Sequence, residues 1–148
     1  MKKFKGRPVI SGEHVGKALV TQSGFNILAT FLTSLMENDG SCVCNDINNP
    51  EMYGKSLNGE ILCIPQAIGS TSSGFMMQSI AAANIGPKAM LFARKAEPLA
   101  LAGILIADIW EGAQIITIDE LGDDFLSTVK NGDQIHITPD GTVVVYPA

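Results

Sequence analysis

Residues 61–93 constrain the fold more than any other stretch. Glu60-Ile61-Leu62-Cys63-Ile64-Pro65 reads as a strand that Pro65 closes. Gly69-Ser70-Thr71-Ser72-Ser73-Gly74 is a hydroxyl-rich turn. Phe75 to Asn84 then sets Met76, Ile80 and Ala83 at helical spacing, with Ala81 to Ala83 suited to close helix packing. Gly86-Pro87 stops that helix. Ala89-Met90-Leu91-Phe92-Ala93 is a second apolar run, consistent with a buried strand. Strand, Gly/Ser loop, helix and strand in this order predict a central βαβ unit, and with it an α/β fold class.

The flanks are rich in strands. Gly16 to Thr21 and Gln114 to Ile118 read as strands. Residues 7–11 form a short apolar stretch between turn formers. Asp133 to Thr138 and Thr142 to Tyr146 flank Pro139-Asp140-Gly141, a β-hairpin signal. Asp123 to Lys130 reads as a short helix opened by acids, with a structural role for Asp123 and Asp124. Phe25 to Met36 is expected to be strand or irregular, and Ser41 to Cys44 a strand. Residues 46–59 are expected to be an exposed loop. Leu99 to Ile109 fits either a buried helix or a helix followed by a strand. The 148 residues fit a single domain, 1–148, with mixed β-sheets around the central unit.

Composition narrows the function. Net charge is −5, which argues against nucleic acid as a partner. Charge is uneven: residues 96–148 hold one Lys against nine Asp and Glu. Such an acidic third is either a solvated face or a surface for a partner. Lys2, Lys3, Lys5 and Arg7 are followed by no apolar segment of a signal peptide. The apolar run Leu99 to Ala107 is too short for a bilayer that needs ~20 residues. The expectation is a cytoplasmic protein with no membrane contact. Three cysteines, Cys42, Cys44 and Cys63, suggest buried small apolar residues rather than a disulfide framework or a metal site.

The loop at 69–74 is where chemistry can sit. A helix N-terminus offers unpaired N–H groups and a partial positive charge. Such a loop holds a carboxylate or phosphate, or stabilises an ionised serine. Simple capping by one of the hydroxyls is the other reading. The loop is neither a P-loop nor a Rossmann fingerprint. His14 is expected on a surface turn, His136 on the solvent face of a hairpin strand, and Trp110 in packing.

The order of motifs resembles the aconitase X swivel family. It runs through Gly6-Arg7-Pro8-Val9, Gly16 to Val20, Asn49-Pro50, Gly54-Lys55-Ser56-Leu57, Ile61 to Pro65, Gly69 to Gly74 and Gly86-Pro87-Lys88-Ala89. The resemblance implies a swivelling β/β/α domain like the mobile domain of aconitase. It implies the small subunit of a heteromeric hydro-lyase that dehydrates a hydroxy acid, of the cis-3-hydroxy-L-proline or mevalonate 5-phosphate type. By the same resemblance Ser70 is the catalytic base, and Gly69, Thr71, Ser72 and Ser73 offer substrate-binding donors. A larger partner subunit is implied, with an iron–sulfur cluster that this chain does not bind alone. This sequence departs from the family at Ile68, where a basic residue is usual, and at Asn49, where a His is frequent. The alternative is a non-catalytic anion-binding or carrier module on the same scaffold.

Overall fold

The computed structural model describes residues 1–69 and 72–148. An eight-stranded sheet organises the chain in the order β1-β10-β9-β3-β5-β7-β8-β2. The strands are β1 (Lys2–Lys5), β2 (Arg7–Ile10), β3 (His14–Val20), β5 (Ile61–Ile64), β7 (Ala89–Phe92), β8 (Ile116–Asp119), β9 (Gln134–Ile137) and β10 (Thr142–Tyr146). Two short strands, β4 (Phe25–Asn26) and β6 (Ala67–Ile68), pair separately and in parallel. The helices are α1 (Ile27–Glu37), α2 (Ser73–Ala82), α3 (Pro98–Glu111) and α4 (Asp123–Thr128).

The central strands β3, β5, β7 and β8 run parallel, and the outer pairs are antiparallel. The expected strand–loop–helix–strand unit is present as β5–α2–β7, with β6 added after β5. β1 and β2 lie on opposite edges of the sheet, yet only Gly6 separates them in sequence. A one-residue link cannot cross a flat sheet of eight strands. The sheet is therefore rolled until its edges nearly meet, a near-barrel. The corner is tight: Gly6 N–H donates to the Gly141 carbonyl at 3.0 Å. A Cβ at Gly6 would lie 2.6 Å from the Asp119 carbonyl oxygen, and Gly141 takes φ +88°.

Alternation sorts the core into two. Leu19, Leu62, Ile64, Met90 and Phe92 face the helices α1, α2 and α3. Ala18, Val20, Ile61, Cys63, Ala89 and Leu91 face α4 and the β9–β10 hairpin. Strands buried on both faces carry no polar alternation, which is why β5 and β7 read as continuous apolar runs.

Several expectations need correction. Residues 25–36 are mostly helix, not strand. Ile27, Thr30, Phe31 and Ser34 form the buried stripe of α1, and the Asn26 side chain caps it by accepting from Ala29 N–H at 3.1 Å. β-branched residues lowered the helical signal, and burial of that stripe overrides it. Ser41 to Cys44 is no strand; Val43 makes one isolated bridge to Ser56. The 46–59 loop is not simply exposed, since Asn49, Met52 and Leu57 are buried in it. Trp110 does not pack into the core: it is 76% exposed near the end of α3. α3 itself resolves as one helix, with Pro98 at its first turn and Glu97 accepting from the Leu99 and Ala100 N–H groups at 2.9 Å.

Candidate functional site at the carboxyl edge of the parallel strands

Open α/β sheets bind ligands outside the carboxyl ends of their parallel strands. Four segments meet at that edge here. After β3, Thr21 N–H donates to the Cys63 carbonyl at 3.1 Å, and Phe25 N–H to the Gln66 carbonyl at 2.9 Å. These bonds lay residues 21–26 beside the chain that leaves β5. Gly69 then turns with φ +122°, in the region that favours glycine. A Cβ there would stand 3.2 Å from Asn26 Oδ1, the atom that caps α1. α2 begins at Ser73, with Ser72 as its N-cap residue.

The third segment leaves β7. Ala93 N–H donates to the Ile64 carbonyl at 3.0 Å and Arg94 N–H to the Pro65 carbonyl at 3.2 Å. This fixes Arg94 and Lys95 next to the start of the loop. Both are exposed, and among the described residues neither has a carboxylate within ion-pair distance. The fourth segment is the end of β8. Asp119 is fully buried and accepts from Arg7 Nε at 2.9 Å, from a terminal Arg7 nitrogen at 2.6 Å and from Ala96 N–H at 2.7 Å. Its carboxylate raises the Arg7 pKa through that hydrogen bond and its charge, and it anchors the turn that carries Arg94 and Lys95.

A polar cluster lies beside Thr21. Glu51 accepts from Thr21 Oγ1 at 2.8 Å and from Gln22 N–H at 3.0 Å, which ties the 46–57 loop to this edge. Asn49 Oδ1 lies 3.3 Å from the same Thr21 hydroxyl, and Asn49 Nδ2, on a residue 1% exposed, has no partner among the described residues. One hydroxyl carries one proton, and the closer, charged Glu51 takes it.

Of the residues assigned from sequence, Gly69, Ser72 and Ser73 come to this edge. Ser73 is buried in the first turn of α2. Ser70 and Thr71 lie outside the described residues. Arg94 and Lys95 were missed. The signal was two basic residues at the end of the second strand of the βαβ unit, which topology sets beside the loop at the end of the first.

Cofactor ligands are not gathered here. Among the described residues no group of His, Cys, Asp or Glu is placed to hold a metal ion. All three cysteines are buried and unbridged. Burial pushes the Cys42 thiol up to about 12 and raises the Cys44 and Cys63 thiols as well. Cys42 and Cys44 lie in one buried core and Cys63 in the other, so the three thiols do not converge on one centre and do not make up the thiolate set of an iron–sulfur cluster. The histidines sit at the opposite edge. His14 opens β3 half-buried, not on a turn, and its Nε2 has no partner among the described residues. His136 lies 3.1 Å from Glu13. A groove of about 500 Å³, lined in part by His14, Asn58, Lys88 and Gln114, opens at that amino edge.

Comparison with known proteins settles the lineage. The model of the aconitase X swivel domain matches residues 3–145. The chain belongs to that family. It is 28% identical over 139 residues to the phosphomevalonate dehydratase small subunit of Methanocella arvoryzae, covering 94% of this chain and 93% of that protein. It is 30% identical over 109 residues to the protein of the same name from Pyrococcus furiosus, covering 72% and 74%. The crystal structure of Thermococcus kodakaraensis aconitase X in its holo-form superposes with a TM-score of 0.80 at 25% identity, over 98% of both chains. The solution structure of a UPF0107 protein gives a TM-score of 0.74 at 25% identity, over 97% of this chain and 98% of that one. The fold is thus the aconitase X swivel fold. Among the described residues no helix is long and apolar enough to cross a membrane.

Proposed function

We propose that this chain is the small subunit of a two-chain hydro-lyase that dehydrates a phosphorylated hydroxy acid of the mevalonate 5-phosphate type. The observation that carries this reading is the carboxyl edge: the Gly69 turn, the start of α2 and two exposed cations with no ion pair among the described residues occupy one end of the parallel strands. The names of the relatives point the same way. Residues 1–148 act as one unit that swivels against the larger chain.

In this reading Ser70, ionised, takes the proton from carbon and becomes the neutral hydroxyl. The electron pair of that C–H bond forms the C=C bond, and hydroxide leaves the neighbouring carbon. Gly69, Thr71, Ser72 and Ser73 present donors to the substrate. Arg94 and Lys95 hold its phosphate or carboxylate by charge-assisted hydrogen bonds. They supply the positive charge that Ile68 does not. The iron–sulfur cluster implied by the family resemblance has no ligand set among the described residues and is assigned to the larger subunit.

Carrier chemistry on the same scaffold needs a nucleophile such as histidine in the Gly69–Gly74 segment. The loop has none, and both histidines lie at the far edge. The test is to purify the complex anaerobically from its host and assay dehydration of mevalonate 5-phosphate. Ser70→Ala is expected to abolish turnover while the two chains still co-purify. Arg94→Gln is expected to raise KM about tenfold with a smaller effect on kcat. Full activity of Ser70→Ala would reject the base assignment and favour the non-catalytic anion binder.

A further inference from the structure

The outer surface of the helix layer is poor in charge. α1, α2 and α3 comprise 11, 10 and 14 residues, and only Glu37, Asp108 and Glu111 among them are charged. All three are acids in a last helical turn, where the helix dipole disfavours them. A helix that borders solvent normally shows a polar face. α3 does not. Its buried side is Ala100, Gly103, Ile104 and Ala107. The opposite side carries Leu99, Ala102, Ile106 and Ile109, with Trp110 beside them, and Ile109 is 72% exposed.

We infer that this face, centred on α3, is the docking surface for the larger subunit. The inference rests on the two-chain reading above and adds where the second chain sits. Continuity identifies the occupant. Phe75, 69% exposed, and Leu99 lie in the first turns of α2 and α3, close to Ser72 at the start of α2. A chain that closes over the loop to complete the site lands on them, and the uncharged surface continues from there along α3. The size fits: 14 residues span ~21 Å, and three helices ~8–10 Å apart make a face on the order of 500 Å² in projection. A corrugated surface exposes more than its projection, approaching the ~800 Å² that each partner buries in a standard interface. An exposed tryptophan in such a patch is a favoured binding anchor.

The experiment uses the tagged full-length chain, expressed in its native host and purified anaerobically. The partner is scored only if it is a larger chain that brings iron and sulfide. The variants are Ile109→Lys and Trp110→Glu, with Lys3→Glu on β1 as control. A photo-crosslinking residue is placed at position 109 and, separately, at position 3. The expected result is at least a tenfold loss of the iron-bearing chain with either helix variant, none with the control, and a crosslink to that chain from position 109 alone. Thermal melts matching the parent show that these exposed changes leave the fold intact. Undiminished capture of the iron-bearing chain by both helix variants overturns this inference and leaves the two-chain reading standing. A crosslink from 109 to a second copy of this chain overturns it in favour of self-association. Failure to capture any iron-bearing chain overturns both.

Discussion

The two sides of the sheet finish in opposite ways. The hairpin side ends in charge: β1 carries three lysines in four residues, and α4 opens on Asp123 and Asp124. The helix side ends in apolar residues, with three charges spread over its three long helices. Both sides cover buried cores of similar character, so core packing does not explain the difference. Solvation does. A face that meets water is free to take charge at little cost, whereas a face that meets another chain is depleted of charge at its centre. The same sheet therefore carries one surface finished for water and one finished for contact.

The strongest way to break the helix side is at its tightest contact. α2 and α3 cross where Gly74 meets Gly103, and a Cβ on Gly103 would stand 2.0 Å from the Gly74 carbonyl oxygen. Gly103→Ala is expected to cost about 3 kcal/mol or more, because the obstacle is backbone and has no rotamer to give. Lys3→Ala on the other side is expected to stay within about 0.5 kcal/mol. Urea unfolding of the two variants measures the contrast, and equal midpoints would refute the close crossing.

A smaller effect separates the helix ends. Glu97 caps α3 with both carboxylate oxygens. Glu97→Ala is expected to cost about 1 kcal/mol. Asp124, in the first turn of α4, shows no such bond from its carboxylate among the described residues, so Asp124→Ala is expected to cost only a few tenths. Thermal melts at matched salt would compare them.

The smallest effect is on the hairpin side and depends on pH. Asp140 is held well below the usual carboxylate range by hydrogen bonds from Thr138 and Thr142, then by Lys5. A depressed folded-state pKa gives stability that is present above the unfolded value of ~3.9 and lost as pH falls through the folded value. Asp140→Asn should therefore lower the urea midpoint slightly at pH 7. The gap from the parent should close as pH falls from about 5 towards 2. Asp140 is exposed, so salt should shrink the gap as well. A gap that widens in acid would contradict the assignment.

Much of the fold was legible because its signals are local. Pro65 and Gly86-Pro87 punctuate the βαβ unit, and Pro139-Asp140-Gly141 marks the hairpin. The buried double-faced strands show as unbroken apolar runs. α1 was not legible: Ile27, Thr30, Phe31 and Ser34 form its buried stripe only against the sheet. The Gly/Ser loop stood out by composition. Arg94 and Lys95 did not, because nothing in 94–95 alone says that a parallel neighbour ends beside it.

The sequence by itself determined the central strand–loop–helix–strand unit, the C-terminal hairpin and the two-sided burial of β5 and β7. Only the tertiary structure decided the near-closure of the sheet at Gly6, the gathering of four strand ends into one edge and the exposure of Trp110. The reason is range. Turns, caps and periodicity act over a few residues, which a chain displays directly. The Arg7–Asp119 pair and the Gly6–Gly141 corner join positions more than 100 residues apart, and only a particular packing brings them together.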